Sequence, residues 1–235
     1  MNWIDELRWR LEPVAGTVSL DRATVLAVLG CALAAVAVTP AWRVLRIAVT
    51  LVHELGHALV GMLVGRRFTG FVLRGDMSGH AVTVGKPRGP GRVLSTWAGY
   101  PAPAVVGAAM VWLAGRGWSA ALVAAVIVAL VVALFRVRSA LTLVVVLTAL
   151  AGAGALWWWR DDATQARVLV GSGIVLLIGA WRHLAAVWGS SDRSSDPRVL
   201  ASLTHVPSFV WNLTFAVGCA AATWVVGREV LLLWA

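Results

Sequence analysis

The 235-residue chain is 60% hydrophobic and only 13% charged, with a mean hydropathy of +0.81; soluble domains carry about 25% charge, so a water-soluble globule is excluded and an integral membrane protein is indicated. Its formal charge of +9 is dispersed among short loops, with no basic stripe interleaved with aromatics, which argues against a nucleic-acid partner. Two isolated cysteines, Cys31 and Cys219, both in apolar stretches, supply neither a disulfide framework nor a thiolate metal site.

Residues 1–22 form a leader in which Trp3, Leu7, Trp9 and Leu11 stand among charges, either a short interfacial helix or a solvated segment. Asp5, Glu6, Glu12 and Asp21 argue against a cleaved signal peptide. Seven apolar segments follow, at about 23–39, 45–64, 93–114, 118–135, 139–157, 168–188 and 198–226. Each is near the roughly 20 residues needed to cross a bilayer, and Trp42, Trp118 and Trp157 to Trp159 near their ends suit interfacial belts. The expectation is an all-α integral membrane protein, a polytopic bundle of six to seven spans forming a single domain over 1–235. Alternating the loops puts 14 Lys and Arg on the side of the N-terminus and six on the other. By the positive-inside rule this predicts a multi-pass protein of the inner (cytoplasmic) membrane with a cytoplasmic N-terminus and an extracytoplasmic C-terminus.

The second segment holds His53-Glu54-Leu55-Gly56-His57. Residues four apart share one face of a helix, so His53 and His57 can offer two imidazoles to one metal ion. Glu54 beside them can act as general base toward a water acidified by that ion, and zinc suits such nitrogen ligands. A carboxylate and two imidazoles in one turn of an apolar helix are costly to bury without a partner, which argues against a purely packing role.

Between the second and third segments, within residues 65–92, Phe68–Arg74 and His80–Val84 alternate as strands around the turn Gly75-Asp76-Met77-Ser78-Gly79. This predicts a small cytoplasmic β-hairpin just after the HExxH helix, either a plain connector or an edge that pairs with an extended substrate. Gly85–Arg92, with Pro87, Gly89, Pro90 and Gly91, reads as a flexible connector. The third segment carries Gly99-Tyr100-Pro101-Ala102-Pro103, where the prolines loosen the helix. The fourth and fifth are mostly Ala, Val and Leu, with Gly152 and Gly154 read as sites of close packing.

The HELGH helix, the short hairpin and the Gly-Tyr-Pro segment resemble the site-2 protease group, peptidase family M50, and particularly its M50B-like branch. The resemblance covers residues 45–110 and more loosely 195–212. It implies a zinc-dependent intramembrane endopeptidase cutting the transmembrane segments of other membrane proteins, of which a single-span regulator such as an anti-sigma factor is an example, with His53 and His57 as zinc ligands and Glu54 as catalytic base. The chain departs from the typical pattern in having no Leu-Asp-Gly and no room for a PDZ domain between the second and third segments. Two other classes stay open: a non-catalytic membrane protein with a structural or regulatory metal site, and a transporter using its buried His and Glu.

The third ligand has several candidates. Asp161 and Asp162 fall on the far side in the alternating topology, and Asp76 suits the hairpin turn. Asp192 and Asp196 lie in the loop 189–197, and Ser195-Asp196-Pro197 followed by Leu203-Thr204-His205-Val206-Pro207 is similar to the M50B-like pattern, making Asp196 the first choice. Its competing role is a helix N-cap ahead of Pro197. His205, about 12 Å down a continuous last span, is the runner-up.

Overall fold

The computed structural model describes residues 2–16, 18, 20–76 and 78–233; Thr17 and Ser19 of the leader and Met77 of the expected turn lie outside them. It is mostly helical: α1 (Trp3–Trp9), α2 (Arg22–Ala37), α3 (Thr39–Leu63), β1 (Arg67–Leu73), β2 (Gly79–Val84), α4 (Pro90–Trp97), α5 (Pro101–Gly115), α6 (Ser119–Leu134), α7 (Ala140–Trp158), α8 (Asp162–Trp188), α9 (Asp196–Thr204) and α10 (Ser208–Leu233). Among the described residues four helices, α3, α7, α8 and α10, are long and apolar enough to cross a membrane. The bent pair α4 and α5 makes a fifth if taken as one span. The helices α2 and α6, with 16 residues each, reach only about 24 Å, short of a hydrocarbon core of about 30 Å.

Two expected spans are broken, each for a local reason. The third bends by 60° between α4 and α5, where Pro101 and Pro103 offer no backbone donor to continue the ladder. The last is interrupted at His205-Val206-Pro207: His205 takes the left-handed conformation (φ 62°) as the C-cap of α9, and α10 starts after Pro207. The core lies where α2, α5, α8 and α10 meet, around Val25, Val111, Val170, Leu177, Phe215 and Cys219. The backbones of Gly107 and Gly173 touch there so closely that a side chain on either would overlap the other's carbonyl. Gly152 and Gly154 do not play that part; nothing lies within 4 Å of the position a Cβ would take at either.

The leader corrects the expected topology. Leu20 N–H donates to the Leu233 carbonyl, Val18 N–H to Gly115 and Val14 N–H to Gly117, and the Arg10 guanidinium bonds the Trp157 and Trp158 carbonyls. The leader and the end of α10 thus meet at one end of the bundle, not at opposite ends as the alternating assignment has it. The parity fails because α3 is inclined across the bundle: Trp42 sits against His183, Val49 against Gly179, and Gly56 against Ala98 and Ala102.

The hairpin is also deeper than expected. β1 and β2 pair antiparallel with Phe71 opposite Ala81 and Leu73 opposite Gly79, and an irregularity between Phe68 and Gly70. β1 uses its other edge on the α6–α7 connection, Phe71 N–H donating to the Arg136 carbonyl and Arg138 N–H to the Phe71 carbonyl. Phe71 (0% exposed) and Leu73 (1%) bury into a cluster with Leu51, Leu130, Ala133 and Val146. β2 runs along α3, from Thr83 beside Gly61 to Gly79 beside Thr50, so the hairpin tip lies about 20 Å back from the end of that helix. Its apolar strand face is what carries it into the bundle.

Candidate metal centre and active site

α3 places His53 and His57 one turn apart, and both side chains turn toward α9. His53 Nε2 and His57 Nε2 are 3.1 Å apart, and Asp196 Oδ2 lies 3.3 Å from the first and 3.2 Å from the second. These three residues form the one group among the described residues able to hold a metal ion. His57 Nδ1 is 2.8 Å from the Ser95 carbonyl, and because a carbonyl can only accept, the proton sits on Nδ1 and Nε2 presents a lone pair. Ser95 Oγ in turn donates to the His57 carbonyl at 3.0 Å, so α4 fixes the ring from two directions.

Three electron-rich atoms therefore converge on one point, an arrangement that repels unless a cation or proton sits between them. Ligand atoms at 2.0–2.1 Å from a tetrahedral zinc ion are separated by about 3.3–3.4 Å. The observed triangle, 3.1 to 3.3 Å on a side, lies within about 0.3 Å of that spacing. Asp196 Oδ2 is buried with no hydrogen-bond donor of its own, a further sign that the group is built for an ion.

Glu54 is buried beside this triangle, 5% exposed. Its Oε2 accepts a hydrogen bond from the Ala81 N–H at 2.6 Å. A Cβ at Gly79 would come within 2.6 Å of Glu54 Cγ, so a glycine is needed where β2 passes over the carboxylate. Gly99 is equally constrained, since a side chain there would overlap the His57 and His53 rings. The Tyr100 ring meets His53 edge-on, centroids 4.8 Å apart. Gly99→Ala is expected to lower the zinc content of the purified protein, while Gly152→Ala, with open space at the same atom, leaves it unchanged; metal-to-protein ratios check both.

A cavity of about 990 Å³ exposes the triangle, running from Trp42 and Arg46 past Glu54 to Ser95, with β2 (Gly79 to Ala81, Thr83) along one wall and Ser190 to Asp196 along another.

The other ligand candidates are occupied elsewhere. Asp192 lines the cavity but accepts from the Ser194 N–H and Oγ, which hold its carboxyl below the usual range. Asp76 does the same with Ser78 Oγ and N–H in the hairpin turn. Asp161 caps α8 through the Thr164 N–H. His205, exposed at the α9 terminus, is no part of the cluster, because the break before α10 removes the continuous helix that would have carried it inward. The capping role also goes elsewhere: Ser195 is the N-cap of α9, and Asp196 is its first helical residue.

Sequence reasoning missed Ser95, Gly79, Gly99 and Ala81. Gly99 had a visible signal in standing directly before Tyr100-Pro101; Ala81 acts through its backbone N–H, and Ser95 and Gly79 matter through what lies opposite them in space, which no local pattern marks.

A family model described as Peptidase M50B-like matches residues 26–226. No curated protein and no solved structure matches the chain.

Proposed function

This chain belongs to the M50B-like peptidase family, a membrane metalloprotease kind, and from that premise we propose that it is a zinc-dependent intramembrane endopeptidase acting on transmembrane segments of other membrane proteins. The observation that carries the reading is the triangle of His53, His57 and Asp196 at tetrahedral-edge spacing with Glu54 next to it. Three protein ligands, where structural zinc sites close all four positions, leave room for water and favour catalysis over a structural role.

His53, His57 and Asp196 would hold the zinc, which when bound supplies Lewis acidity that eases loss of a proton from water and polarises a carbonyl. Glu54 takes the proton from the attacking water and returns it to the leaving amine. Ser95 keeps His57 in the tautomer that faces the ion. The outer edge of β2 lines the cavity next to Glu54 and suits an extended substrate backbone. Pairing there requires the Ala81 N–H, which Glu54 holds in this state, so substrate entry and release of the base are one event. A single-span membrane regulator fits such a site, since its segment must unwind to become extended.

The charge distribution supports an orientation for this reading. The leader end takes Arg8, Arg10, Arg22, Arg116, Arg160, Arg167 and Arg228, and the other 13 Lys and Arg lie toward the hairpin end. The site then opens toward the cytoplasm, and both termini are extracytoplasmic. Reporter enzymes fused to either end are expected to be active only outside the cytoplasm; a cytoplasmic N-terminus with an external C-terminus would refute this arrangement.

The peptidase reading is tested by incubating zinc-loaded protein in detergent with a panel of single-span membrane substrates. Cleavage that disappears on chelation and returns with zinc supports it. A chain that binds zinc yet cuts nothing in the panel, and shows four protein ligands, would instead support the non-catalytic class.

A further inference from the structure

A second cavity, of about 280 Å³, lies where α3 ends and α4 begins, lined by Val64 to Arg66 and by the connector from Gly85 to Arg92. It includes none of the three metal-site residues, and shares Arg92 with the cavity that exposes them. Four cations line it, Arg66, Lys86, Arg88 and Arg92, and no Asp or Glu does. Between Leu55 and Arg160 the only acidic residue is Asp76, which is committed to Ser78 at the hairpin tip.

Arg66 is the informative member. It is 8% exposed, and its guanidinium donates to Thr83 Oγ1 (3.1 Å), the Lys86 carbonyl (2.7 Å) and the Thr83 carbonyl (3.3 Å). All three are neutral oxygens, so the charge is covered without being compensated, although covered charges are ordinarily paired. The start of α4 adds to the same field: Gly89, Pro90 and Gly91 line the cavity, and no side chain caps the free amides of that helix. Lys86 and Arg88 are exposed and Arg92 is half-buried, so the like charges face one another across water, and an anion among them would relieve their repulsion.

We propose that this pocket binds a phosphate group, either the headgroup phosphate of a membrane lipid or free phosphate. Three guanidiniums suit the forked recognition of a tetrahedral oxyanion. The pocket also lies immediately past the last apolar turn of α3. Occupancy would tie together the two arms that flank the metal site. Arg66 holds β2 through Thr83, and α4 leads to Ser95, whose carbonyl fixes His57.

The test uses full-length protein in maltoside micelles, which carry no phosphate. Dihexanoyl phosphatidylglycerol and inorganic phosphate are titrated separately against chloride at equal ionic strength, with thermal unfolding and amide exchange of residues 85–92 as readouts. At least one of the two is expected to raise the unfolding temperature and slow exchange in that segment. Saturation by the lipid alone identifies a headgroup site; saturation by free phosphate alone, or by both alike, identifies a site for phosphate itself. Arg88→Gln/Arg92→Gln is expected to weaken the effect by about tenfold or more. This pair is chosen because neither side chain holds β2, while Arg66→Gln serves as a second variant wherever it folds. No response to either ligand, or an equal response in the double variant, overturns the proposal. Zinc content and proteolysis are not readouts here, so the outcome is independent of the peptidase reading.

Discussion

Glu54→Gln protein is expected to retain its zinc and lose cleavage by about 10² to 10⁴-fold, the range for removal of a general acid–base group. The substitution keeps the size of the side chain and leaves an amide oxygen able to accept from the Ala81 N–H, so the β2 contact observed at 2.6 Å can persist. Neither His53 nor His57 is touched. Cleavage rates with metal analysis on the same preparation separate the two effects. Wild-type turnover in this variant would remove Glu54 from the chemistry. Loss of zinc together with activity would mean that the carboxylate holds the site together and would leave its role as base unsupported.

Asp196→Ala is expected to lower zinc affinity by more than the ten- to hundred-fold typical of a lost supporting contact, because a direct ligand disappears. Its carboxylate is the only oxygen donor in the triangle, and its removal leaves two imidazoles 3.1 Å apart with nothing to complete a tetrahedron. His205→Ala is the matching control: exposed at the C-cap of α9, it should leave metal content unchanged. Competition with a chromogenic chelator gives both affinities. Equal affinity in Asp196→Ala and wild type, or a loss confined to His205→Ala, would reassign the third ligand.

Much of the site could be read in the sequence because HELGH needs only helix periodicity: the ligand faces of His53 and His57 follow from spacing alone. Asp196 needed the family pattern, since proximity between a loop residue and a helix 139 positions earlier in the chain has no local signature. The hairpin was visible in its alternation, yet its depth was not. Alternation shows that Phe71 and Leu73 share a face but not that this face packs on Leu51 and Val146. The meeting of the leader with the end of α10 was hidden at α3, a mostly apolar helix of 25 residues that looks like any crossing segment; hydropathy reports length and not inclination. The breaks at Gly99-Tyr100-Pro101 and Val206-Pro207 follow proline chemistry and were foreseeable as weakened helix, though only the first was read so.

Zinc K-edge absorption spectroscopy of the purified full-length protein tests the centre of the account most directly. A single zinc is predicted with a shell of only nitrogen and oxygen at about 2.0–2.1 Å, two of the ligands imidazoles, and with one imidazole fewer in His57→Ala. A sulfur shell near 2.3 Å, or a spectrum unaltered by that substitution, would place the ion away from the α3 histidines and contradict it.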